Sequence, residues 1–168
     1  LTNNRKWRIG VVSDTHGRLD KAVLAHLQGV DRIIHAGDIG DEEILWDLEA
    51  IAPVIAVKGN NDAESLCVPA ERLAVFDEAN IFVVHQFAEA EKLTEKQRNL
   101  IESRMFDVVV FGHSHKPYQG QWRGTLLFNP GSAGPKRFSL PRSLGFLEIE
   151  NGEINSRIVE LGDAPDWK

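Results

Sequence analysis

The stretch Val108-Val109-Val110-Phe111-Gly112-His113-Ser114-His115 decides the fold. Four apolar residues read as a buried strand, and Gly112 is expected to stop it with a turn that bulkier residues make less easily. Two histidines, one residue apart, then stand at the strand's carboxyl end. In open α/β sheets that edge is where ligands bind. Neutral imidazole is a common ligand of first-row metals, so the pair points to a metal site at the mouth of a sheet. A lone His-x-His is weak evidence, more often two solvated loop residues than a metal site. Its weight comes from other runs in the chain that end in ligand-type side chains.

Upstream, Arg8–Ser13 is a short apolar run of the central-strand kind, followed by Asp14-Thr15-His16-Gly17. Leu19, Val23, Leu24 and Leu27 recur at helical spacing up to Gly29, a C′ stop. Asp31–Ala36 is a second strand closed by Gly37-Asp38. A second helix starts at Asp41, an N-cap with Glu42 and Glu43 in its first turn, and Pro53 ends it. Val54–Val57 is a third strand, closed by Gly59-Asn60-Asn61-Asp62. Three strand–helix alternations indicate a parallel, doubly wound front. Behind it, Arg72–Asp77 and Ile81–His85 are strands separated by Glu78-Ala79-Asn80, a hairpin. Glu89–Arg104 is a helix whose inner face carries Leu93, Leu100 and Ile101. Gln119–Arg123, Thr125–Phe128 and Ser143–Ile149 are further strands, and Gly134–Pro141 is a loop with Lys136, Arg137 and Arg142 beside it. Asn151-Gly152 signals a type I′ turn pairing Gly145–Glu150 with Glu153–Val159. The expected class is α/β, a single domain over 1–168, parallel at the front with antiparallel hairpins at the back.

At 168 residues the chain is long enough for a proper core, and 42% hydrophobic with 26% charged residues is ordinary for a soluble domain. A net charge of -6 argues against an extended duplex nucleic-acid face, which needs clustered Lys and Arg. It leaves room for a small phosphorylated substrate, since a metal pocket carries its own positive charge. Cys67 is the only cysteine, so no intrachain disulfide forms and a cytoplasmic setting is expected. Leu1–Lys6 has no apolar signal core and no segment approaches the ~20 apolar residues needed to span a bilayer. Trp7, Trp46, Trp122 and Trp167 are read as packing or surface residues rather than a base-stacking platform, and a homo-oligomer stays open.

The strand ends collect Asp14 and His16, Asp38, Asn60, His85, His113 and His115. Seven oxygen and nitrogen ligands exceed one tetrahedral zinc and lack the sulfurs of a structural site, but suit two divalent metals sharing a carboxylate. Carboxylate and amide oxygens beside imidazoles favour Mn, Mg, Fe or Zn over Cu(I) or an iron–sulfur cluster. Each residue also has a plain structural role to weigh: Asp14 and Asp38 as helix caps, Asn60 as a turn residue, His85 as a core histidine. Asp62 and His35 are expected to orient ligands by hydrogen bonds, with a purely structural role for His35 equally open. Arg18 is read as a surface residue able to reach phosphate, and His26 is assigned no role.

Asp14-x-His16, Gly37-Asp38, Gly59-Asn60-x-Asp62, His85 and Gly112-His113-x-His115 stand in the order and context of the calcineurin-like metallophosphoesterases. The chain resembles their small YfcE-like phosphodiesterase branch over nearly its whole length, Asn129-Pro130-Gly131-Ser132 included. The resemblance implies an α/β/β/α sandwich with two sheets packed face to face. It implies one metal on Asp14, His16, Asp38 and His115 and a second on Asp38, Asn60, His85 and His113, with Asp38 bridging. Asp38, Asn60 and His85 are the residues expected to carry catalysis. The implied cofactor is a pair of divalent ions, Mn2+ first, with Mg2+, Fe2+, Ni2+ or Zn2+ as alternatives. The implied activity is hydrolysis of a small phosphoester by a metal-bridging hydroxide that attacks phosphorus, in-line with the leaving group.

Two departures stand out. Many relatives carry a histidine where this chain has Asn61, and His85-Gln86-Phe87 replaces the usual His-Gly-His. The second change alters the pocket and removes a possible proton donor, which a good leaving group tolerates best. It also motivates a rival reading, a catalytically silent binding module, since a small retromer subunit of this fold serves as a scaffold. A nuclease is the weaker third reading, for want of a basic stripe.

Overall fold

The computed structural model describes residues 5–163; Trp167 and Leu1–Asn4 lie outside them. The chain runs β1 (Trp7–Val12), α1 (Lys21–His26), β2 (Arg32–His35), α2 (Glu42–Glu49) and β3 (Val54–Ala56). It continues through β4 (Glu71–Phe76), β5 (Ala79–Val84), α3 (Glu95–Arg104), β6 (Val108–Val110), β7 (Tyr118–Trp122), β8 (Thr125–Asn129), β9 (Arg142–Glu150) and β10 (Glu153–Leu161). Two five-stranded sheets result, a front sheet ordered β10-β9-β1-β2-β3 and a back sheet ordered β4-β5-β6-β8-β7.

Successive side chains of a strand point to opposite faces, so a sheet with two apolar faces must be covered twice. Ile9, Val11, Ile34 and Leu147 of the front sheet meet Ile81, Val83, Val108, Val110 and Phe128 of the back sheet in one buried core. The alternate residues Val12, Ile33, Leu144 and Phe146 face outward under Val23 and Leu27, Ile44 and Leu48 on the α1–α2 side. Phe82, Val109 and Leu127 do the same under Leu93 and Ile101 on the α3 side. The layers are therefore α/β/β/α, each fully buried Leu or Ile contributing about 1.5–3 kcal/mol. Gly10 keeps α1 close: a Cβ there would run into the Leu27 side chain.

β1, β2 and β3 pair in parallel as expected. The back sheet is not antiparallel throughout. β5, β6 and β8 are parallel at its centre, with antiparallel hairpins β4/β5 and β7/β8 at its edges. The cause is α3, a helical crossover between β5 and β6 of the kind that parallel neighbours require. The closing hairpin joins the front sheet, β9 pairing with β1. Asn151 (φ 54°) and Gly152 (φ 78°) make its two-residue turn with the positive φ pair that a type I′ turn demands.

Several local expectations shift. The β4/β5 turn is Asp77-Glu78, because Phe76 pairs directly with Ala79. The 89–104 stretch is not one helix: a single 3-10 turn at Ala90–Lys92 breaks at Leu93. Thr94 then restarts the chain as N-cap of α3, in a capping box with Gln97. Arg142 is no loop residue; it opens β9 with its guanidinium buried against Asp20, 2.7 Å away. α1 is shorter than expected and ends at His26, with Gly29 taking φ 76° just beyond. Among the described residues no helix is long and apolar enough to cross a membrane.

Candidate metal centre

The carboxyl ends of β1, β2 and β3 present Asp14, His16, Asp38 and Asn60; those of β5 and β6 present His85, His113 and His115. Convergence therefore occurs across the two sheets, four residues coming from the front sheet and three from the back. Five of the seven residues have left-handed backbones: Asp14 (φ 56°), His16 (48°), Asp38 (53°), His113 (68°) and His115 (58°). Each such non-glycine residue costs about 1–3 kcal/mol unless its surroundings over-determine it, and such strain gathers at functional sites. Here the surroundings are a ladder beyond the strand ends. Asp14 N–H donates to Gly37 O (3.0 Å), His16 N–H to Asp38 O (2.9 Å) and Gly17 N–H to Ile39 O (2.7 Å).

Asp14 is fully buried. Its Oδ2 accepts from Ser13 Oγ (2.6 Å) and from the His113 backbone N–H (3.1 Å), which ties the two sheets together. Its Oδ1 is buried without a hydrogen-bond partner, 3.3 Å from His115 Nε2 and 4.0 Å from His16 Nε2. The two imidazole Nε2 atoms face each other at 3.2 Å. In the other half, His85 Nδ1–H donates to Ala36 O (2.8 Å), so neutral His85 carries its lone pair at Nε2. That lone pair faces Asn60 Oδ1 at 3.0 Å and Asp38 Oδ2 at 3.4 Å, and His113 Nδ1 lies 2.9 Å from the same Asn60 oxygen. Asp38 Oδ2 also lies 3.8 Å from His16 Nε2, between the halves.

Burial opposes ionisation of Asp38, but His85 and both the backbone and side-chain N–H groups of Asn61 outweigh it and hold the carboxyl well below the usual range. Burial likewise works against charge on His85, and the Asp38 carboxylate beside it wins, raising its pKa. His35 is pulled down to about 4 by burial and is neutral. Its Nδ1 accepts from Gly37 N–H (3.2 Å) while Nε2 meets Thr15 Oγ1 (2.9 Å), whose hydroxyl donates to Ile39 O. Asp62 accepts from Gly40 N–H and Gly59 N–H, both at 2.8 Å. Both residues hydrogen-bond to the loops that carry the candidate ligands, and neither joins the cluster.

Several supports were not visible in the sequence. Ser13 grips Asp14, Asn61 grips Asp38, and Ser132 Oγ donates to Asp14 O (3.0 Å). Asn129 Nδ2 donates to Gly112 O (2.9 Å), steadying the His113 loop. A polar residue directly beside a strand-end aspartate is the signal that marks Ser13. Gly112 does not adopt a positive φ; it is needed for space, since a Cβ there would meet Ser13 Oγ and lie 2.7 Å from Asp14 Oδ2. The departing residues behave differently from each other. Gln86 Nε2 lies 3.3 Å from Asn60 Oδ1 at the surface, whereas Phe87 turns inward toward Phe111, ring centroids 6.0 Å apart.

The donor set suits divalent cations. Ligand atoms of Asp14, His16 and His115 lie within 4.8 Å of one another, as do those of Asp14, Asp38 and His85. An unpaired buried carboxylate oxygen and facing lone pairs require a proton or a cation between them. A cleft of ≈ 290 Å³ opens beside Asn60 and His85.

Residues 7–152 match the family described as the calcineurin-like phosphoesterase superfamily domain. A probable metallophosphoesterase of Methanocaldococcus jannaschii is 38% identical over 161 residues, covering 91% of this chain and 81% of the relative. A second protein of that archaeon, named a phosphodiesterase, is 30% identical over 167 residues, covering 91% and 99%. The solved structure of YfcE, a phosphoesterase from E. coli, shares the fold with a TM-score of 0.64 at 24% identity, covering 92% of this chain and 100% of that one. In sequence and in fold, the chain belongs to the calcineurin-like phosphoesterase superfamily.

Proposed function

We propose that the protein is a dinuclear metal-dependent phosphoesterase acting on small phosphodiesters in the cytoplasm. The observation that carries this reading is the buried, unpartnered Asp14 Oδ1 set among imidazole nitrogens, beside a second convergence on Asn60 Oδ1. Asp14, His16, Asp38 and His115 are assigned to one ion and Asp38, Asn60, His85 and His113 to the other, with Asp38 shared. Mn2+ is the first choice. Divalent ions bound there supply Lewis acidity toward phosphate oxygens and make hydroxide available near neutral pH as the in-line nucleophile.

The chain's own residues prepare that chemistry. Ser13 and the His113 N–H occupy Asp14 Oδ2 and leave Oδ1 free to act as a ligand. Asn61 keeps Asp38 ionised. Ala36 O fixes His85 in the tautomer whose Nε2 can coordinate. Phe87, packed toward Phe111, offers no proton to a departing alcohol, so substrates with acidic leaving groups suit this site best.

The test is hydrolysis of bis-p-nitrophenyl phosphate with Mn2+ by the wild type, Asp38→Asn and His113→Ala. The expected result is activity in the wild type and a loss of at least about 100-fold in each variant. Equal rates in all three would exclude this centre as the catalyst. The binding-module reading draws on the altered Gln86-Phe87 flank; a stable partner with no turnover across phosphoesters and metals would favour it.

A further inference from the structure

The cleft beside the centre has walls of two kinds. Ala70 and Val84 are apolar, while Gln86 and Lys58 are polar, and Lys58 brings the only formal charge among the lining residues. Asn60 and His85 belong to both cleft and centre, so the cleft opens directly beside the candidate ligands. Its volume of ≈ 290 Å³, at ~30 Å³ per water-sized group, suits a substituent of roughly ten heavy atoms or fewer.

Lys58 already holds one carboxylate: its side chain, 21% exposed, reaches Glu64. Its carboxylate partner Glu64, 2.5 Å away, is 96% exposed and stands on a single 3-10 turn with no side-chain cap. A ligand carboxylate can take the place of Glu64, whose own side chain stays in water whether or not it is paired.

We propose that this cleft receives the alcohol-derived arm of the substrate, and that Lys58 selects arms ending in an anionic group such as a carboxylate or second phosphate. The inference rests on the neighbouring centre being a phosphoester site. A bare apolar arm fills the walls but leaves Lys58 with Glu64; a cationic arm meets Lys58 directly and is rejected.

Calorimetric binding to the Mn2+-loaded protein tests it, using 2-phosphoglycolate and phosphorylcholine, which share a phosphate end and differ in the charge of the arm. The wild type is expected to favour 2-phosphoglycolate by about tenfold or more, Lys58→Ala to reduce that preference to within about threefold, and Lys58→Glu to invert it. Glu64→Gln, which keeps Lys58, is expected to tighten 2-phosphoglycolate and serves if a Lys58 variant misfolds. Lys6→Glu makes the same charge change just before β1, beside Glu148 and Glu150, and is expected to leave the preference as it is. A wild type that binds neither ligand, or a preference unmoved by Lys58→Glu, overturns the proposal. Failure of the phosphoesterase reading shows separately, as a wild type that binds these ligands selectively yet hydrolyses no diester.

Discussion

Gly112→Ala puts the link between backbone packing and ion binding to a quantitative test. Gly112 does not have a positive φ, so alanine adopts its backbone conformation without strain and the effect is steric. The added Cβ would meet Ser13 Oγ, stand 3.0 Å from Ser13 Cβ and lie 2.7 Å from Asp14 Oδ2. Ser13 and Asp14 are both fully buried and have no room to retreat. Overpacking of this kind costs about 1–3 kcal/mol, and weakening the charge-assisted bond from Ser13 to Asp14 adds to it, for a total of roughly 2–4 kcal/mol. With a urea m-value of about 2 kcal/mol/M, the unfolding midpoint of the metal-free protein falls by about 1–2 M. Mn2+ affinity, read by calorimetry, falls at least about tenfold because the Asp14 carboxylate has been turned. Gly124→Ala is the control: φ is +88° there and no atom lies within 4 Å of the new Cβ. It loses about 1 kcal/mol of stability to backbone strain and keeps its Mn2+ affinity. A Gly112→Ala protein with the wild-type midpoint and wild-type Mn2+ affinity would refute the reasoning.

Asn61→Ala removes the 2.7 Å side-chain bond to Asp38. The folded carboxyl lies below its ordinary value of 3.8, so this stabilisation is present above that pH and is lost as pH falls toward the folded pKa. Metal-free Asn61→Ala is therefore expected to be weaker than wild type by about 1.5–3 kcal/mol at pH 7, a gap that narrows below pH ~4. Urea midpoints showing an equal gap at both ends of that range would contradict it. Arg142→Met leaves Asp20 buried without its guanidinium and is expected to cost about 3–5 kcal/mol. Asp20→Asn added to it removes the stranded charge, keeps the oxygen that caps α1 at Val23 N–H, and recovers part of the loss; no recovery in thermal or urea unfolding would count against a buried-charge origin.

β1, β2 and β6 were legible because parallel strands buried on both faces read as continuous apolar runs. The ligand-type residues were legible for the same reason, since each stands within a few residues of the end of such a run. Sheet membership was not. Nothing in Val108–Val110 states whether it lies beside β2 or opposite it; the crossovers and packing of both layers decide that. The break at Leu93 had a local signal, Thr94 followed by Gln97, which helix-favouring composition over 89–104 concealed. Arg142 looked like a solvated loop cation because its partners, Asp20 and the carbonyls of Ala133 and Gly134, are remote in sequence or lie on a loop of its own making. The grip of Asn61 on Asp38 depends on a 23-residue separation that no local pattern reports.

Four of the clustered side chains ride on the front sheet and three on the back. Their mutual distances are thus a gauge of how the two layers are aligned. A shift of one sheet against the other would leave every strand intact and still change the distances from His85 to Asp38 and from His115 to Asp14. Ile34, Val83 and Val110, buried together between the layers, consequently help to set the spacing of side chains at the rim.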